Sequence, residues 1–140
     1  MIRQTSFIIS LTAPRQGLHE VTSSISDWVQ EQGIGSGLLT LFCRHTSASL
    51  LIQENAASAA RRDLETWFAL IVPEDPSLYS HNDEGPDDMP AHIRTALTAT
   101  QLSVPVEGGE MLLGTWQGIY LFEHRREPSR REIALHLIGE

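Results

Sequence analysis

The chain has 140 residues, 41% of them hydrophobic and 20% charged, with a net charge of −8. That size and balance describe one soluble globular domain able to bury its own core, and the acidic surplus argues against a nucleic-acid or anionic-membrane partner. All ten basic residues are Arg, which excludes Schiff-base chemistry and a P-loop lysine, and the single cysteine, Cys43, excludes an internal disulfide.

Residues 2–11 alternate, with Phe7, Ile9 and Leu11 on one side and Gln4, Ser6 and Ser10 on the other, predicting a half-buried strand. Leu18, Val21, Thr22, Ile25, Trp28, Val29 and Gln32 follow at helical spacing, and Gly33 stands where a C-terminal glycine cap belongs. Residues 35–45 predict a second strand, with Leu39, Leu41, Cys43 and His45 on one face and Leu38, Thr40, Phe42 and Arg44 on the other. A short strand over 47–53 and a helical stripe through Ala56, Ala60, Leu64, Trp67, Phe68 and Ile71 come next, stopped by Pro73. Four prolines and six carboxylates make 73–90 a loop, and a third helix starts near Asp88, a good N-cap with Pro90 in its first turn. Residues 102–106, 116–125 and 131–138 predict further strands. Connections too short for helical crossovers imply a largely antiparallel sheet, so the fold class is α+β: a mostly antiparallel β-sandwich with about three helices over a single domain, residues 1–140. No apolar run nears the roughly 18 residues of a membrane span, and the N-terminus lacks a signal-peptide apolar region. Cytoplasmic residence is expected.

Familiar motifs fail on context. The glycines of 33–37 lead into a strand, whereas a dinucleotide-binding turn opens a helix. The acidic loop 81–88 lacks the alternating oxygen ligands of an EF-hand. Cys43 lies two residues from His45 on one strand face, yet it continues the Leu39-Leu41 stripe and reads as a small core hydrophobe. His45 at a strand end, His81 at the head of the acidic loop and His92 in the first turn of the third helix form a possible three-ligand metal set with an open position, as in catalytic zinc sites, and Asp83, Asp87 and Asp88 stand by as fourth ligand or orienting groups. A hydrogen-bonded core histidine beside a solvated acidic turn is the plainer alternative. Glu54 and Glu123 interrupt apolar faces, so each needs a salt bridge or a site, with Arg131 the obvious partner for Glu123 across a hairpin. Arg125, Arg126, Arg130 and Arg131 flank a Pro-Ser turn and either grip a phosphate or form a soluble hairpin tip.

The stretch 45–50 (HTSASL), the block 81–92 (HNDEGPDDMPAH) and residues 113–121 (LGTWQGIYL) resemble the YjbQ-type family in order and spacing, through to the Ile138-Gly139 ending. The resemblance covers essentially the whole chain. It implies a small α+β sandwich assembling as a homotrimer, with a secondary, weak thiamine-phosphate synthase activity that joins a pyrimidine methyl diphosphate to a thiazole phosphate and releases pyrophosphate. Carried onto this sequence, it implies a polar cluster of His45, His81 and His92 as ligands of a divalent metal (zinc, with magnesium or manganese as alternatives), with Glu54, Asp87 and Glu123 as catalytic groups and Asn82 and Arg131 toward a small phosphorylated substrate. A metal-dependent hydrolase of a phosphorylated or acyl substrate and a non-catalytic ligand-binding trimer are the competing readings.

Overall fold

Two antiparallel sheets face each other in a computed structural model that describes residues 1–140. In chain order the elements are β1 (Arg3–Thr12), β2 (Gly17–Glu20), α1 (Thr22–Glu31), β3 (Ser36–Cys43), β4 (Ala48–Glu54), α2 (Ser58–Ile71), α3 (Asp88–Leu97), β5 (Gln101–Glu107), β6 (Glu110–Met111), β7 (Gln117–Glu123) and β8 (Arg130–Gly139). A 3₁₀ turn at Pro76–Leu78 punctuates the loop before α3. One sheet runs β1-β8-β3-β5-β6 and the other β2-β7-β4. The fold is α+β, as the sequence pattern predicts, and no helix is long and apolar enough to cross a membrane.

Period-two alternation puts Leu39, Leu41 and Cys43 of β3 and Ile133, Leu135 and Leu137 of β8 on one buried face. They meet Leu50 of β4 and Ile119 and Leu121 of β7 from the opposing sheet, with Ile25, Trp28 and Val29 of α1 closing the same core. Burial of this continuous apolar layer is the main stabilising contribution. Leu38, Phe42 and Ile138 face outward from the larger sheet and are exposed.

Four expectations need correction. Residues 17–20 extend β-sheet pairing with β7, Leu18 opposite Phe122, so α1 starts at Thr22 and His19 is on a strand. Apolar residues at 18 and 21 fit helical spacing and strand burial equally well, and tertiary pairing decides. Gly33 does sit beyond α1 with φ +65°, as a glycine C-cap requires. In α2 only Phe68 is buried, while Trp67 and Ile71 of the expected stripe are exposed. Asp87, not Asp88, precedes the first residue of α3, and the short β6 after the Gly108-Gly109 turn carries no pattern long enough to read. Finally, β7 and β8 belong to different sheets. The Glu123–Arg131 pair therefore ties the two layers together and is not a cross-hairpin contact.

Candidate functional site

Two loops and one helix build the polar end of the sandwich. The 44–47 connection leaves β3 and turns into β4, the acidic loop brings His81 round, and α3 presents Asp88 and His92 one turn apart on the same face. The His81 and His92 rings lie 6.0 Å apart between centroids. Between them sits the buried Asp88 carboxylate: its Oδ2 is 2.9 Å from His81 Nε2 and 3.1 Å from His92 Nε2. One ligand atom from each of these three residues falls within 4.8 Å of the other two.

Four further hydrogen bonds fix this group. Arg125 donates to Asp88 Oδ1 at 2.6 Å and to Asp87 Oδ2 at 3.1 Å. The Arg126 backbone N–H also donates to Asp87 Oδ2, at 2.9 Å. Burial raises the Asp87 carboxyl's proton affinity, but these donors outweigh it and hold its pKa below the ordinary carboxylate value. His92 Nδ1 donates to the Thr46 carbonyl at 2.8 Å. A neutral His92 ring anchored in that way carries its lone pair on Nε2, aimed at the Asp88 oxygen. Two acceptors cannot share a 3.1 Å contact without a proton or a cation between them.

Beside this group lies a cavity of about 930 Å³ with His92 on its wall. The 42–47 segment, Thr95 and Ala96 of α3, Thr100 and Arg131 complete the lining. His45 is there, but its Nε2 accepts the Glu132 backbone N–H at 2.7 Å, and it stands outside the His81-Asp88-His92 group. Burial, then the Arg131 charge, lowers the His45 pKa below the ordinary imidazole value. Cys43 is buried, with Sγ 3.4 Å from the Ala48 carbonyl, and burial pushes its thiol pKa up, as expected of a core cysteine.

A family model described as UPF0047 protein YjbQ-like matches residues 7–140. The chain belongs to this YjbQ-like family. UPF0047 protein sll1880 from Synechocystis is 49% identical over 99% of this chain and 94% of its own length. UPF0047 protein YjbQ from Escherichia coli O157:H7 is 41% identical over 94% of this chain and 96% of its own. The crystal structure of a YbjQ-like protein from Sulfolobus solfataricus superposes with a TM-score of 0.91 at 25% identity, each chain covered completely.

Within this YjbQ-like chain, the residues singled out from sequence divide into three groups. His81 and His92 converge, and Asp88, which the sequence offers as a fourth ligand or an orienting group, places its carboxylate between them. His45 and Arg131 share the cavity wall; Arg131 is engaged by the fully buried Glu123, with Nε 2.8 Å from Oε1, and also donates to the Ser47 carbonyl. Glu54 and Asn82 stand apart. Glu54 ends β4 six residues beyond Ala48, roughly 20 Å along the strand, where its Oε2 accepts the Ala57 N–H ahead of α2. Asn82 turns back on its own loop, donating to the Tyr79 carbonyl at 2.7 Å. Nor do the arginines of the Pro-Ser turn form one phosphate grip: Arg125 holds the two aspartates, Arg126 pairs with Glu74 and Arg130 reaches Ser10. Sequence reasoning also passed over His124, fully buried against Phe122, with Nε2 2.8 Å from Ser49 Oγ. Its place directly after β7, buried at every residue but Gln117, is the one signal that marks it as interior.

Proposed function

We propose that this protein is a small metal-dependent enzyme whose His81, Asp88 and His92 hold one divalent ion at the edge of a cavity that takes a phosphorylated small molecule. The carrying observation is His92: Nδ1 is committed to the Thr46 carbonyl, and Nε2 faces the Asp88 carboxylate. A carbonyl behind a ligand histidine is the usual device that fixes its tautomer and ring orientation for metal. Two imidazoles and a carboxylate suit zinc and other first-row divalent ions. With bonds of about 2.0–2.2 Å, neighbouring ligand atoms belong roughly 3–3.5 Å apart, close to the 2.9 and 3.1 Å separations already present around Asp88 Oδ2. Arg125 on the other Asp88 oxygen keeps that carboxylate aimed.

Bound there, a divalent ion would neutralise charge on phosphate oxygens beside the cavity. The residues of the chain supply position and exclusion of water: Arg131 and Glu123 brace the wall, and Asp87 with Arg125 ties the acidic loop to the end of β7. Transfer between a pyrimidine methyl diphosphate and a thiazole phosphate, the reaction that the family resemblance implies, fits this arrangement as a side activity of a phosphate-tolerant site. Self-association accompanies the reading. Ile8, Leu38, Phe42 and Ile138, each 40–47% exposed, lie on the uncovered face of the larger sheet, and Phe42 also borders the cavity. A homotrimer is the expected assembly.

Metal content by mass spectrometry tests the centre. Stoichiometric zinc or manganese is expected in the wild type and in His136→Ala, with a sharp loss in His81→Ala and His92→Ala. Metal retained at full occupancy in both latter variants places the centre elsewhere and ends the proposal.

A further inference from the structure

The cavity wall has a chemical bias that the metal group does not explain. In a chain with net charge −8, no Asp or Glu lines it. Its basic side chains are Arg44, His45, His92 and Arg131, and the rest of its polar side chains are the Cys43 thiol and Ser and Thr hydroxyls. A surface of donors without carboxylates suits an acceptor-rich anion. Both arginines already face carboxylates. Arg131 is taken by Glu123 and the Ser47 carbonyl, and Arg44 lies 3.4 Å from Glu132. His92 is committed at both nitrogens.

His45 differs in that its state is fixed by a backbone group. The Glu132 N–H can only donate, so His45 Nε2 must accept and carry no proton. The ring's single hydrogen is then on Nδ1. No protein group accepts from Nδ1, and it is not among the buried atoms lacking a partner, so it is open to the cavity that the ring lines. Glu132 N is itself locked, since its residue pairs with Ser10 of β1 inside the sheet. The imidazole is therefore a rigid, neutral N–H donor held by the sheet.

We infer that His45 donates Nδ1–H to an oxygen of a phosphate group bound in the cavity, making it a specificity-determining residue for an anionic ligand and not a ligand of the metal. The inference rests on the phosphorylated-ligand reading above but is independent of the metal. Ligation at Nε2 is blocked because the Glu132 N–H already occupies that lone pair, and ligation at Nδ1 because it carries the ring proton.

The test uses the full chain, chelator-treated, with inorganic phosphate and pyrophosphate as probes, read by imidazole ¹⁵N NMR and calorimetry. His45 is expected as the neutral Nδ1–H tautomer before any ligand is added, with its Nδ1 resonance moving on titration. His45→Leu should weaken phosphate binding at least tenfold, and before chelator treatment it should hold metal as wild type does. His45→Gln, which keeps an acceptor for Glu132 N and an N–H for the cavity, should bind within a few-fold of wild type. His81→Ala should lose metal yet still bind phosphate. An Nε2–H tautomer, equal phosphate affinity in wild type and His45→Leu, or no phosphate binding by the chelated wild type would each overturn the inference. None of these would touch the metal proposal, which fails only on the metal content of the His81 and His92 variants. The tautomer is read on wild type, so the test stands even if His45→Leu does not fold.

Discussion

Glu123 illustrates how a single residue's cost defines its role. Its carboxylate is fully buried and Arg131 is 5% exposed, so each charge is tolerated only through the other. Removing one partner strands a buried charge: Glu123→Ala should cost about 3–5 kcal/mol in chemical denaturation, whereas Glu123→Met with Arg131→Met should recover most of that loss. A double variant no more stable than the single would mean that Arg131 is held chiefly by the Ser47 carbonyl. Glu54 makes the contrast. Sequence spacing gives both glutamates the same description, a carboxylate on an apolar face, yet Glu54 is partly exposed and only accepts the Ala57 N–H. Glu54→Ala should cost about 0.5–2 kcal/mol, as lost caps do, and leave metal content and phosphate binding unchanged. The two could not be separated from sequence, because which end of a strand meets the site depends on pairing between sheets. His81 and His92 were legible because a tight acidic turn and one helical turn suffice to join them. The Thr46 carbonyl that orients His92 is backbone and leaves no mark in the residue types.

At the scale of elements, the strand pattern marked β1, β3, β5 and β8 because each has one face in the core. The segment 17–20 failed for a definite reason: four residues are too few to distinguish periods of two and 3.6, and pairing with β7 settles the matter. Close strand approach imposes a constraint that glycine alone meets. Gly37 of β3 lies opposite Gly139 of β8, and a Cβ added at Gly37 would meet the Ile138 carbonyl oxygen at 2.3 Å. Backbone cannot rotate away as a side chain can, so Gly37→Ala should force the two strands apart. A loss of about 1–3 kcal/mol is expected, as for overpacking elsewhere, read as a lower denaturation midpoint. Gly108→Ala would have open space for its Cβ and meets strain only from its φ of +62°, so a smaller cost of order 1 kcal/mol is expected there.

Across the whole molecule, the pH dependence of folding reports on the layer between α3 and the smaller sheet. His124 is fully buried, touching Ser49 through Nε2 while Nδ1 has no partner. Burial, reinforced by the Arg94 and Arg131 charges, lowers its pKa from 6.5 to about 3. In the unfolded chain the ring protonates near pH 6.5, whereas the folded protein resists protonation down to about pH 3. Between those values the unfolded state binds the extra proton, so stability is complete above the unfolded pKa and declines as pH falls, by about 1.4 kcal/mol per pH unit from this one residue. The largest loss is on the order of 4–5 kcal/mol at the acid end, a substantial share of the stability of a domain this size. Asp87 adds to the decline only at the lower edge, where its own depressed pKa begins to be crossed. His124→Leu removes the ionisable ring while keeping an apolar neighbour for Phe122. Urea denaturation at half-unit intervals from pH 4 to 7.5 should show a shallower slope between pH 4.5 and 6 for that variant than for wild type, by about 1.4 kcal/mol per unit. Superimposable slopes would mean that His124 takes up its proton in the folded state as readily as in the unfolded one, and that the Ser49–His124 contact opens to water well before the sandwich unfolds.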